Sequence, residues 1–262
     1  MDIAIIGCGN MGTAVAELLS PLHRLILHDR DWNWTQELAH KIGGEPRQNI
    51  NEAIDEAEVV FLAVKPQNLK EIAPLIKDDL KKNHILISLL VGTPLESLQN
   101  DFPSPTIIRI MPNLAMRYGE GIIGVVDTPA LSLEIKNSLE ELLAPLGLLY
   151  WLQESQIDAL ASLAGSGPAF ILTLVEAMIE AGIAMGFKAK DAKNLTLKMM
   201  QGSLTMIEKS DTPLCELKWQ IASPGGTTIE GLRRLEKGSL RSGLIETFLA
   251  SHKKAQELAK KL

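Results

Sequence analysis

A chain of 262 residues, 46% of them apolar, can supply the core of one large domain or of two ordinary ones. Its formal net charge of −6 leaves no basic footprint for nucleic acid or an anionic membrane. Its two cysteines, Cys8 and Cys215, lie far apart and indicate neither a disulfide framework nor a zinc cluster. No uninterrupted apolar run is expected to reach a membrane span, and Met1 leads straight into a strand, leaving no room for a signal peptide. These features predict a soluble cytoplasmic protein. The sequence holds no internal repeat and no low-complexity linker.

Ile3-Ala4-Ile5-Ile6 reads as a buried strand. Gly7-Cys8-Gly9-Asn10-Met11-Gly12 follows at once, and a helical pattern then runs through Ala14, Val15, Leu18 and Leu19. This is G-x-G-x-x-G between strand and helix, the context that dinucleotide binding requires. Gly7 permits the tight turn, Gly9 lets backbone approach a pyrophosphate, and Gly12 lets helix and strand pack closely. Leu25-Ile26-Leu27-His28 reads as the second strand, ending at Asp29-Arg30. An acidic residue here accepts from a ribose 2′-hydroxyl and favours NAD, whereas an Arg pairs with a 2′-phosphate and favours NADP. Both are present, and they also fit a solvated pair at a strand end. Trp32 and Trp34 open the next helix; Trp32 could cover an adenine or simply pack a helix on the sheet edge.

Val59 to Val64 is another buried strand, closed by Lys65-Pro66-Gln67. Ligands of doubly wound sheets sit beyond the carboxyl ends of the strands, so topology puts Lys65 at the crevice; an exposed strand-end Lys is the plainer account. Ile85 to Leu89 and Ile107 to Met111 are further strands, the latter ending at Pro112-Asn113. Ile122 to Val126 and Leu148 to Trp151 complete a sheet of about seven or eight strands, with a helix over Leu133 to Leu143 between them.

From about Gln156 strand-like runs stop and helical periods take over. Gly165-Ser166-Gly167-Pro168 is expected to break one helix and start another, capped by Ser166. That helix runs to Gly186 and is apolar nearly all round, so it should be buried against a partner subunit. Lys190 to Lys209 forms the next helix, and Leu240 to Leu262 the last, with an apolar face of Leu244, Phe248, Ser251, Ala255 and Leu258. Between them, Ser223-Pro224-Gly225-Gly226-Thr227-Thr228-Ile229-Glu230-Gly231 breaks the chain with Pro and two Gly and opens a helix to about Leu235. A Gly-rich helix entry with hydroxyls can hold a small anion; the plainer reading is a turn with Thr as N-cap. The patterns predict an α/β protein, with an N-terminal Rossmann-type doubly wound sheet (1–154) followed by an all-α C-terminal domain (155–262).

The Ser223–Gly231 string closely resembles the signature of pyrroline-5-carboxylate reductases, the enzymes of the last step of proline synthesis. Gly165-Ser166-Gly167-Pro168-Ala169-Phe170 is a second match. Ala63-Val64-Lys65-Pro66 looks like that family's cofactor loop, and Arg109-Ile110-Met111-Pro112-Asn113 resembles its Arg-x-Met-Pro-Asn string. The strings cover both halves of the chain in the family's order. The resemblance implies NADPH as cofactor, with NADH possible, held by Ile6 to Gly12 (Ile6, Gly7, Cys8, Gly9, Asn10, Met11, Gly12), Asp29, Arg30, Ala63, Val64, Lys65, Pro66 and Asn113. It implies 1-pyrroline-5-carboxylate as substrate, its carboxylate held at Gly225, Gly226, Thr227 and Thr228. Thr228 is the residue expected to serve the ring nitrogen as catalytic group. It also implies a homodimer or higher homo-oligomer through the C-terminal helices, with no metal, nucleic acid or membrane.

The chain departs from the family's pattern in places. Leu90 and Val91 replace two small Ala near the expected nicotinamide, and Leu114-Ala115 replaces a Thr-Pro. Thr212-Pro213, an extra residue and Leu217-Lys218-Trp219 stand where His-Pro and Leu-Lys-Asp are usual, so the acidic substrate contact cannot be placed. Asn49 and Asn51 flank the position of an adenosine-contacting Asn, and neither is carried over. Two other readings share the architecture. A β-hydroxyacid dehydrogenase needs a Lys a turn or so after a Gly-Ser-Gly-like string, and Pro168 to Met178 contains none. A non-catalytic NAD(P)-binding regulator draws only on the departures just named.

Overall fold

The computed structural model describes Met1–Ala259. Eight strands form one sheet: β1 (Asp2–Ile6), β2 (Arg24–His28), β3 (Glu45–Pro46), β4 (Val59–Leu62), β5 (Ile85–Ser88), β6 (Thr106–Pro112), β7 (Gly121–Val126) and β8 (Gly147–Leu152). Their spatial order is β3-β2-β1-β4-β5-β6-β7-β8. Pairing is parallel except between β6 and β7. The order reverses beside β1, which opens a crevice at the carboxyl ends of β1, β2 and β4.

Six helices connect these strands: α1 (Asn10–Leu19), α2 (Trp32–Ile42), α3 (Ile50–Asp55), α4 (Leu69–Ile76), α5 (Leu95–Asp101) and α6 (Leu133–Leu143). Successive strand side chains point to opposite faces, and a sheet covered on both sides buries both sets. Ile3 and Ile5 of β1 pack with Ala14, Val15 and Leu38 of α1 and α2 on one face. Ala4 and Ile6 pack with Ala53, Ile54 and Ile76 of α3 and α4 on the other. This is why the strands read as continuous apolar runs rather than alternating ones.

Six more helices follow: α7 (Ile157–Leu160), α8 (Gly167–Ala184), α9 (Ala189–Glu208), α10 (Leu214–Ile221), α11 (Thr227–Lys237) and α12 (Leu240–Ala259). The expected continuation of the last helix to Leu262 lies outside the described residues. Along α12, Leu244, Phe248, Ser251 and Ala255 are half-buried at helical spacing. Within the helical part Phe248 meets Phe170 edge to face, with ring centroids 5.1 Å apart.

By its internal contacts the chain forms a unit of Met1–Gly165 together with the stretch from His252, and a unit of Ser166–Ser251. Three expectations change. The Gly165-Ser166-Gly167-Pro168 string does not break the helix. Residues Ala161–Ser166 form a π-helical turn that joins α7 to α8, absorbing the glycines and the missing Pro168 N–H without an interruption. Ser166 makes no cap hydrogen bond; its hydroxyl lies 3.2 Å from that of Ser251. As a result the 31-residue run Glu154–Ala184 is long and apolar enough to cross a membrane by length and composition, which corrects the expectation that no such run exists.

The outer edge strand β3 is only two residues long and is pinned by ions. Arg24 reaches Glu45 and Glu56, each at 2.7 Å. Arg47 reaches Glu45 at 2.7 Å and Glu56 at 2.8 Å. Hydrogen bonds from Arg24, then Arg47, hold the Glu45 carboxyl at about 2, and those from Arg47, then Arg24, hold Glu56 at about 2. Lowered carboxylate values stabilise the folded chain above the ordinary range near 4.5, and that contribution is lost as pH falls towards 2. The side chains are 42% and 35% exposed, so screening keeps the effect small and salt-sensitive. Melting temperature should therefore fall between about pH 5 and pH 2, and Glu56→Gln should flatten that limb. An unchanged slope in Glu56→Gln would contradict the assignment.

Candidate functional site

The glycine turn between β1 and α1 owes its shape to the absence of two side chains. Gly7 has φ +100°, a conformation that side chains strongly disfavour, and a Cβ there would stand 2.8 Å from the Ala63 carbonyl carbon. A Cβ on Gly12 would stand 1.8 Å from the Gly7 carbonyl oxygen. Gly9, by contrast, has nothing within 4 Å of where its Cβ would be. Two glycines therefore serve close packing, and the third leaves open space at the N-cap of α1.

That space belongs to a cavity of about 710 Å³ beyond the ends of β1, β2 and β4. Of the residues read as cofactor contacts, Ile6, Gly7, Cys8, Gly9, Asn10, Asp29, Arg30, Ala63, Val64 and Lys65 line it. Met11, Gly12, Pro66 and Asn113 do not. For Gly12 and Pro66 the reason is structural: Gly12 is packed on Gly7, and Pro66 starts the short 3-10 turn leading into α4. The Asn113 side chain is engaged within the fold. It is buried, donating to the Ala164 carbonyl at 3.0 Å and accepting from Ile122 N–H at 3.1 Å. Both ends of the amide are thus committed within the first unit. Arg109 from the same string is buried as well and pairs with Glu154.

The cavity also contains residues that no motif singled out. Trp34, not Trp32, reaches it, and its indole Nε1–H donates to the Cys8 carbonyl at 2.7 Å. Arg117 reaches it from the 3-10 turn Leu114–Tyr118. The cations Arg30, Lys65 and Arg117 share its walls with Asp29, Asp31 and Glu71. Among the described residues none of these three cations has an ion-pair partner. A roomy crevice with a Gly-opened helix start and unpaired cations fits a dinucleotide, whose phosphates need both.

Asp29 turns inward, accepting from Cys8 N–H at 2.7 Å and Asp31 N–H at 3.0 Å. Burial, and then the Asp29 charge, push the Cys8 thiol up to about 12, so it stays protonated and is no nucleophile. Asn49 and Asn51 are committed elsewhere: Asn49 caps α3, and Asn51 donates to Asp79 at 2.6 Å. Of the residues that depart from the resembling pattern, Leu90 is buried in the core and Val91 is 53% exposed.

In the helical unit, Ser223–Gly226 is closed by a hydrogen bond from Gly226 N–H to the Ser223 carbonyl at 3.0 Å. Gly225 sits at φ +68° after Pro224, the pattern of a type II turn. A Cβ on Gly226 would lie 2.5 Å from Ser223 Oγ, which would have to rotate away, and 3.1 Å from the Ser223 carbonyl oxygen. Gly226 is the N-cap of α11 and makes no side-chain cap bond. The plainer reading of Thr227 or Thr228 as capping groups is therefore not what is observed. Thr227 is exposed and Thr228 half-buried, and neither hydroxyl has a hydrogen-bond partner among the described residues. The first N–H groups of α11 have no intrahelical acceptor, as at any helix start. Among the described residues no cluster of His, Cys, Asp or Glu could hold a metal ion.

Comparison with known proteins agrees with this geometry. Residues 154–258 match the family model for pyrroline-5-carboxylate reductase dimerisation, and residues 2–92 match that for coenzyme F420-dependent NADP oxidoreductases. The chain is 32% identical to the pyrroline-5-carboxylate reductase of Aquifex aeolicus, over 98% of this chain and 97% of that one. Its fold is similar to a pyrroline-5-carboxylate reductase structure from Coxiella burnetii (TM-score 0.87, 31% identity, 98% and 97% of the chains). It is also similar to the Plasmodium falciparum pyrroline carboxylate reductase solved with NADP bound (TM-score 0.88, 25% identity, 99% and 98%).

The two kinds of glycine give separable predictions. Gly9→Val should fold normally, because the space is open, and lose NADPH affinity at least tenfold in a fluorescence titration; about 1.4 kcal/mol corresponds to that factor. Gly12→Ala should instead lower the melting temperature through collision with Gly7. A folded Gly9→Val protein with unchanged affinity would remove the turn from the binding site.

Proposed function

This chain belongs to the pyrroline-5-carboxylate reductase family and is an NAD(P)H-dependent oxidoreductase that reduces 1-pyrroline-5-carboxylate to L-proline; from that premise we propose which of its residues do the work. The observation that carries the assignment is the glycine-opened, cation-lined cavity of the first unit. When bound, NAD(P)H supplies the hydride that reduces the C=N carbon of the ring.

In this reading Gly7, Gly9 and Asn10 receive the pyrophosphate at the start of α1, with Lys65 nearby as a compensating charge. The backbone N–H groups of Gly226, Thr227 and Thr228 hold the substrate carboxylate, a role that backbone at a helix start performs without a charged side chain. Gly225 shapes the turn that presents them. Thr228 holds or passes the proton at the ring nitrogen; its half-buried hydroxyl without a partner supports this role over capping. A protonated imine is already electrophilic, so holding ring and carboxylate supplies most of the rate. This accords with a site that has no acid–base dyad. Asn113 serves here as a structural brace rather than a cofactor contact, given its committed amide.

NADPH is preferred over NADH in this proposal. Arg30 is an unpaired cation at the end of β2, and the Asp29 carboxylate beside it already accepts two backbone N–H groups. The second unit works as a homodimer or larger homo-oligomer. Ile171, Leu172 and Ile183 of α8 and Leu195, Met199 and Leu204 of α9 are exposed in the single chain. Apolar surface on this scale indicates a protein partner, and the dimerisation model covers it. The same pairing accounts for the apolar run through α8 without invoking lipid. Both cysteines are free, as a reducing cytoplasm permits.

Imine-dependent loss of NADPH absorbance tests the function, and oxidation of a 3-hydroxy acid in its place would contradict it. Thr228→Val should lower kcat by about 10²-fold, with a smaller change in KM. Because the hydroxyl caps nothing, the melting temperature should hold; a normal kcat would remove Thr228 from the chemistry. Arg30→Ala should weaken NADPH by about 1.5–3 kcal/mol and leave NADH nearly unchanged, and equal losses would contradict the pairing. Sedimentation at low micromolar concentration should find no monomer, and a stable active monomer would overturn the oligomer.

A further inference from the structure

Every polar backbone group of Cys8 is held by a side chain. Its N–H donates to Asp29 Oδ2 at 2.7 Å. Its carbonyl accepts from Trp34 Nε1 at 2.7 Å and from Thr13 Oγ1 at 2.8 Å. The partners are themselves linked: Asp29 Oδ1 accepts from Asp31 N–H at 3.0 Å, and Asp31 caps α2 by accepting from Trp34 N–H at 3.1 Å. The end of β2 and the first turn of α2 thus close around one residue of the glycine turn.

We propose that Trp34 is a positioning residue for the cofactor, clamping the Cys8 peptide groups together with Asp29 and so setting the glycine turn that receives the pyrophosphate. The proposal rests on the dinucleotide-binding reading of the cavity. Three observations support it. First, the turn needs holding: glycine backbone is permissive, and nothing packs against Gly9 from the side-chain direction. A loop that presents N–H groups to a ligand binds better when its shape is set beforehand. Second, Trp34 is not core filler. It is 38% exposed and lines the cavity, and its indole N–H is engaged by the Cys8 carbonyl. Third, the clamp uses Asp29 from the inside. A carboxylate that accepts one backbone N–H on each oxygen is a brace for the turn, with half of its acceptor capacity already used by backbone. Discrimination at the ribose 2′ position then falls to Arg30.

Trp34→Phe keeps a ring in the wall and removes the donor. Equilibrium titrations without imine should show NADPH and NADH weakened by the same factor, about 2- to 12-fold, as for loss of one neutral hydrogen bond. KM for NADPH should rise while kcat at saturating cofactor stays unchanged. Tryptophan emission adds a signature: cofactor should quench the wild type, and the variant should lose most of that quench. Asp29→Asn keeps an oxygen for Cys8 N–H but sets an NH2 against Asp31 N–H, so NADPH and NADH should weaken together, with no selective loss of NADH. Unchanged affinity for both cofactors in Trp34→Phe, with or without a lower melting temperature, would make Trp34 merely structural and overturn the clamp. Selective loss of NADH in Asp29→Asn would make Asp29 the ribose reader and overturn it as well. The wild-type titration separates the two levels: if wild type binds neither cofactor, the reading of the cavity falls and the clamp with it, whereas normal wild-type binding with unaffected variants removes the clamp alone.

Discussion

The distance at which α1 can approach the ends of β1 and β4 governs the first unit. A side chain at Gly12 would meet the Gly7 carbonyl oxygen at 1.8 Å, and one at Gly7 would meet the backbone of Ala63 at 2.8 Å. Because neither exists, the helix starts close over the strand ends, and its N-cap Gly9 and first residue Asn10 line the cavity. The strand order supplies the rest, since the reversal beside β1 leaves a crevice where β2 and β4 diverge. Lys65, Arg30 and Arg117 reach the same cavity from three different connections. The chemistry assigned to the unit is thus a consequence of backbone packing first and of charge second.

The helical unit works by a different economy. It carries no charged group that the account needs for substrate. A Pro-Gly-Gly turn closed by one backbone hydrogen bond sets the start of α11, and the N–H groups at that start are the proposed anion site. Most of the unit's apolar residues stay uncovered in a single chain, so its stability and its assembly are one problem rather than two. The π-helical turn at Ala161–Ser166 belongs to the same economy, keeping α7 and α8 hydrogen-bonded through a string that contains two glycines and a proline.

Much of this was legible in the sequence because it depends on local constraints. A sheet covered on both faces makes its strands continuous apolar runs, and Ile3–Ile6 or Val59–Leu62 can be read in no other way once the helices alternate with them. The close packing at Gly7 and Gly12 follows from their spacing between strand and helix. What escaped notice depends on pairs distant in the chain. Trp34 meets Cys8 across 26 residues, and only the fold decides that it, rather than Trp32, faces the cavity. Arg117 sits in no motif; its side chain is delivered by a turn that Gly119 ends at φ +72°. Asn113 matched a motif, yet its amide closes a contact with Ala164 that spacing does not reveal. The helix expected to break at Gly165–Pro168 continues because a π-turn accommodates the string, an outcome that composition does not distinguish from a break.

The central claim is that this chain reduces the imine carbon of 1-pyrroline-5-carboxylate with hydride from NAD(P)H. Label transfer tests it most directly. Turnover of 1-pyrroline-5-carboxylate with NADPH carrying deuterium at the transferred position should give proline with one deuterium on the ring carbon that was doubly bonded to nitrogen, and the same reaction in deuterated water with unlabelled NADPH should leave that carbon unlabelled. Proline without deuterium from labelled NADPH, or cofactor oxidised with no labelled proline formed, would contradict the account.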